Sequence, residues 1–203
     1  MTVTAEAAHT AFALRVGPGE ALAAQSAALA GACRDMALRF HRGGKMIVFG
    51  NGGGATDAQH LSVEFVHPVI VGKRALPAVS LTGDVATLTG IARTDGFADT
   101  FARQLSLLGD PADIALGLSA DGRCDNVARA FEEAHQRGLL TVALAGGDGG
   151  PLAGAPWVDH LVVAPSDDPL LVKEMHVTAY HVLWELVHVF LEQPGVLGPE
   201  VIT

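Results

Sequence analysis

The chain has 203 residues, enough to bury one substantial core, and its 49% hydrophobic content without any low-complexity tract excludes a disordered protein and predicts one domain over 1–203. A formal net charge of −9 with no Lys/Arg-rich run excludes the basic face that nucleic-acid binding requires, and Cys33 and Cys124 are too few for a disulfide framework. No apolar run is long enough to cross a membrane, and the first 20 residues lack the basic start and long apolar centre of a signal peptide, so a cytoplasmic protein without membrane or nucleic-acid partner is expected.

In chain order, residues 20–42 ("EALAAQSAALAGACRDMALRFHR") place Leu22, Leu29, Met36 and Phe40 near helical spacing, which predicts one amphipathic helix ended by Gly43-Gly44. This helix has no strand partner, so the 1–43 segment reads either as an oligomer contact or as a further covering layer. "KMIVFG" (45–50) is a short apolar run stopped by glycine and reads as the first buried strand; a helix over 55–66 follows the glycines. Further strands are predicted at 76–82, 113–119, 139–146 and 160–166, with helical segments between most of them. The clearest of these is "CDNVARAFEEAHQRG", with Asp125 or Asn126 near its start and Gly138 as a stop. A last helix is predicted from Pro169 to Glu192, and 194–203 is left as a tail. Strands alternating with helices over 44–193 imply the doubly wound α/β class, a five-stranded parallel sheet covered on both faces. In such folds ligands bind at the carboxyl ends of the strands, where the glycines at 50–54, the loop after Ser119 and the start of the last helix all fall.

Gly50-Asn51-Gly52-Gly53-Gly54-Ala55 formally matches the dinucleotide pattern G-x-G-x-x-A. The acidic residue beyond the next strand, Asp84, lies about 30 residues past the glycines where roughly 20 are expected, so the turn reads instead as a place where backbone N–H groups approach an anion or a sugar hydroxyl. His60 and Glu64 are four apart on the predicted helix and share a face, which suits one metal ion, one shared proton or a plain surface pair. On the last helix Lys173, Val177, His181 and Trp184 fall on one broad face while His176 points well away from His181, so only one of these two histidines can face a given site.

Together, "GNGGGATDAQHLSVEF", "LPAVSLTGDVATLTGIARTDGFADTFARQL", "LGLSADGRCDNVARAFEEAHQRGLLTVALAGGDGG" and "KEMHVTAYHVLWELVH" resemble the sugar isomerase (SIS) domain family, and within it the phosphoheptose isomerases, over nearly the whole chain. The resemblance implies aldose–ketose isomerisation of a sugar phosphate through an enediol, a homotetramer assembled through N-terminal helices, and active sites shared between subunits. It implies a zinc site at His60, Glu64 and His181, with Glu64 as base and His181 as partner acid, and a substrate-contacting turn at Asn51, Gly52 and Gly53. Where the family carries a serine, Gly54 stands, and its phosphate cradle reads Ser119-Ala120-Asp121-Gly122-Arg123-Cys124. Its asparagine-aspartate pair reads Arg93-Thr94, followed by Asp95, and the glutamine that completes its zinc set is Lys173, a poor ligand when protonated but a good partner for an anion. These departures keep two other readings in play: a sugar-phosphate-binding or scaffold protein without isomerase activity, and an enzyme for a different anionic substrate read by Lys173, Arg93 and Arg123.

Overall fold

The computed structural model describes residues 4–193, 195 and 197, so the tail expected at 194–203 lies almost wholly outside the described residues. The elements run α1 (Ala5–Ala13), α2 (Val16–Ala23), α3 (Ser26–His41), β1 (Met46–Gly50), α4 (Gly53–Val66), β2 (Ala78–Ser80), α5 (Val85–Thr94), α6 (Ala102–Leu108), β3 (Ile114–Ser119), α7 (Asp125–Gln136), β4 (Leu140–Gly146), β5 (His160–Ala164) and α8 (Pro169–Glu192). All strand pairs are parallel, in the order β2-β1-β3-β4-β5. This is the doubly wound α/β architecture read from the sequence.

Because side chains alternate across a strand, each central strand feeds two cores. Met46 and Val48 of β1, Leu116 of β3 and Val142 of β4 face a layer built from α3, α4 and α8. Ile47 and Phe49, Ala115, and Ala143 and Ala145 face the opposite layer with Leu105 of α6 and Phe131 of α7. Strands covered on both faces favour apolar residues, which is why β1, β3 and β4 are largely apolar; the buried hydroxyl of Thr141 in β4 is satisfied by Asp159. Gly117 supplies the gap for the aromatic pair: a Cβ there would lie 2.6 Å from Phe131 Cζ and 2.7 Å from Phe49 Cε2.

The one helix predicted over 20–42 is two. It breaks between α2 and α3 at Gln25, whose backbone leaves helical geometry at φ −90° and ψ 11°. There the Gln25 amide donates to the Val163 carbonyl at 2.7 Å and accepts from the Val163 N–H at 3.0 Å, completing the open edge of β5 as a neighbouring strand would. Apolar periodicity continues across the break and so conceals it. Within α3, Leu29, Ala32, Cys33, Met36, Ala37 and Phe40 are buried against the core that includes Ala179, Leu183 and Val187 of α8, so this helix does form a covering layer. Helix α4 begins earlier than predicted, at Gly53, because Gly52 takes a positive φ of 53° and turns the chain directly from the strand end into the helix.

Candidate active site

The chain leaves β1 for α4 on one face of the sheet and β3 for α7 on the other, so a crevice opens between the carboxyl ends of these adjacent strands. Asn51 sits at its floor. Its side-chain amide is locked in a reciprocal pair with Asn126, at 2.7 Å and 3.0 Å, and Asn126 Nδ2 lies 3.1 Å from Thr100 Oγ1.

One wall is α4. His60 and Glu64 stand one turn apart, with His60 Nε2 3.1 Å from Glu64 Oε1. From α8, His181 Nε2 reaches 3.5 Å from the same oxygen, and the ligand atoms of the three residues lie within 4.8 Å of one another. Two further contacts hold α8 against α4: Trp184 Nε1 donates to the Glu64 carbonyl at 3.0 Å, and the Tyr180 hydroxyl lies 3.0 Å from His60 Nδ1. Tyr180 is buried, and burial first, with Asp57 and Glu64 adding to it, pushes its phenol well above the ordinary range. Two imidazole nitrogens and one carboxylate oxygen form a donor set suited to a zinc ion with a fourth position open to a ligand.

Next to it lies a cavity of about 180 Å³ lined by Asn51, Gly53, Gly54, Asp57, Ser119, Ala120, Lys173 and His176. Lys173 Nζ meets Asp57 Oδ1 at 2.6 Å, the Gly53 carbonyl at 3.1 Å and Thr56 Oγ1 at 3.3 Å. Eight residues of helix, roughly 12 Å, separate Lys173 from His181, so the lysine belongs to the cavity and the histidine to the cluster. His176 is buried with no partner for Nε2 among the described residues; burial holds its imidazole below the ordinary value, the Ala145 carbonyl and Asp57 opposing and Lys173 reinforcing the shift.

The model of the SIS domain family matches residues 19–146. A phosphoheptose isomerase of Solidesulfovibrio magneticus is 41% identical over 169 residues, 83% of this chain and 81% of that one. The chain belongs to the SIS domain family, on its phosphoheptose isomerase branch. Among solved structures, a phosphoheptose isomerase from Francisella tularensis superposes with a TM-score of 0.85 at 30% identity, covering 93% of this chain and 100% of that one. One from Neisseria gonorrhoeae gives 0.82 at 30%, covering 90% and 97%.

In this SIS-domain protein the loop after β3 is tied up within itself. Ser119 Oγ accepts from Gly122 N at 3.0 Å, and Asp121 Oδ1 accepts from Arg123 N at 2.9 Å. The Arg123 guanidinium turns to both oxygens of Asp148, each at 3.1 Å, and Cys124 stands half-buried at the start of α7 without a side-chain capping bond. Arg93 and Thr94 occupy the exposed last turn of α5; Thr94 Oγ1 donates to the Gly90 carbonyl, and neither residue lines the cavity.

Sequence reasoning passed over Asp57, Asn126, His176 as a cavity residue, and Tyr180. Asp57 carried a usable signal, since it stands three and seven residues before His60 and Glu64 on the same helix face. Tyr180 and Asn126 carried none, because their partners are more than 70 residues away in the chain.

Proposed function

We propose that this SIS-domain protein is a sugar-phosphate aldose–ketose isomerase of the sedoheptulose 7-phosphate isomerase type. The observation that carries this reading is the meeting of Glu64 with two imidazoles beside a cavity lined by Lys173 and Ser119. The reaction removes a proton from the carbon next to a carbonyl and returns it to the former carbonyl carbon through an enediol, while a hydroxyl proton passes to the other oxygen. Both histidine contacts fall on Glu64 Oε1, and Oε2 is the oxygen we assign to the carbon-bound proton. His181 is the partner acid that moves the proton between the two oxygens, and with Nε2 given to a metal the hydrogen it can move is the one on Nδ1.

His60, Glu64 and His181 would hold zinc, which when bound supplies positive charge to the developing oxyanion. Asn51, Gly52 and Gly53 form the turn against the sugar. Lys173 and Ser119 give the phosphate a cation and a hydroxyl, and Ala120, Asp121, Arg123 and Cys124 frame that end, with Arg93 and Thr94 at the outer margin. The Asp121 charge is directed into its own loop, and Lys173, paired with Asp57, lines the cavity that also holds Ser119; phosphate binding there requires the lysine to exchange that partner. The protein acts in the cytoplasm as one domain, assembled as a homotetramer through 1–43.

The test is conversion of sedoheptulose 7-phosphate by the purified protein. Glu64→Gln should lower kcat by about 10²- to 10⁴-fold with a small change in KM. Chelation should remove zinc and activity together, and zinc should restore both. Turnover by Glu64→Gln and His181→Ala at the wild-type rate would sink the mechanism, and sedimentation at the monomer mass would sink the tetramer.

A further inference from the structure

Against both imidazoles of the cluster packs a third ring. Tyr180 is 1% exposed and meets His60 edge-on at 5.7 Å and 81°, and His181 at 4.8 Å and 75°. Its hydroxyl lies 3.0 Å from His60 Nδ1, while the opposite ring nitrogen faces Glu64 Oε1 at 3.1 Å. A carboxylate only accepts, so in this geometry His60 Nε2 carries the hydrogen; in a neutral ring Nδ1 is then an acceptor and the phenol its donor.

A divalent cation held through Nε2 needs that lone pair and moves the ring's hydrogen to Nδ1, whose partner must then accept. A carbonyl or carboxylate, the common partners of metal-bound imidazoles, serves only that second state. A backbone N–H serves only the first. A phenolic hydroxyl serves both, by rotating about its C–O bond.

We infer that Tyr180 is a positioning residue that satisfies His60 Nδ1 in both tautomers, donating when Nε2–H faces Glu64 and accepting when Nε2 faces a divalent cation. Metal uptake then leaves His60 Nδ1 with a partner. The inference rests on the proposed metal reading of His60, Glu64 and His181, and Tyr180 itself touches neither metal nor substrate.

Two measurements test it. Long-range ¹H–¹⁵N spectra should place the His60 hydrogen on Nε2 in the metal-free wild type and on Nδ1 after zinc is added. Competition against a chromogenic chelator should show zinc binding weakened about tenfold to hundredfold in Tyr180→Phe, which keeps the ring and its packing. The metal-free variant should unfold within about 4 °C of wild type, as for one lost hydrogen bond. Wild-type zinc affinity in Tyr180→Phe, or an Nδ1 hydrogen already present in the metal-free wild type, overturns the inference and leaves the metal reading standing. Failure of the wild type to bind zinc overturns the metal reading and this inference with it. The tautomer measurement needs no variant, so it decides even where Tyr180→Phe does not fold.

Discussion

Lys173 and Asp57 share one ion pair but not one environment: the lysine side chain is 43% exposed and the aspartate 6%. Removing the lysine strands a buried group, whereas removing the aspartate's charge frees an ammonium that water can reach. Lys173→Met should therefore destabilise the protein by about 1–3 kcal/mol, more than Asp57→Asn does, as measured by urea denaturation. Equal costs would mean that the pair is solvated throughout. At this scale the sequence was legible wherever partners sit on one helix. The four-residue spacing of His60 and Glu64 put them on a common face, and their side chains do meet. What Lys173 touches could not be read, because Asp57 is 116 residues away and the contact depends on how α8 is docked on α4.

Among the elements, β1, β3 and β4 were read to within a residue at either end, because burial on both faces leaves a largely apolar run. The N-terminal helix was read as unbroken because its apolar spacing survives the interruption. What breaks it is a polar side chain working as a piece of strand: Gln25 pairs with both backbone groups of Val163 on the edge strand β5. Gln25→Leu retains volume but leaves that N–H and C=O unpaired, and should reduce stability by about 1–2 kcal/mol. Hydrogen exchange at the Val163 amide should accelerate in the variant; unchanged exchange there would show that water or another group closes the edge.

For the molecule as a whole, α8 is the element that joins the two halves of the site. Its first turns carry Lys173 and His176 to the cavity, and later turns carry Tyr180 and His181 to the cluster on α4. Burial at the first of these places links global stability to pH. The His176 ring, ordinarily near pH 6.5, is held lower by desolvation, so the unfolded chain takes up a proton before the folded one. Its contribution is therefore complete above about pH 6.5 and is lost as pH falls toward the folded value. Thermal unfolding between pH 7 and 5 should show a fall in Tm that His176→Leu makes shallower; an identical slope in the variant would assign the fall to other groups.

The sequence by itself determined the class of fold, the five strands and their approximate limits, and the common helix face of His60 and Glu64. These follow from periodicities of two and 3.6 residues, which are local properties of the chain. The family could also be read, because its motifs are contiguous. The resemblance already set His181 beside that pair; only the tertiary structure decided that His176 faces a separate cavity, that Lys173 is held by Asp57, that Arg123 turns to Asp148, and that Tyr180 packs behind His60. Each of these depends on the docking of one element on another, set by side chains packing across the two cores, and no spacing along the chain encodes it.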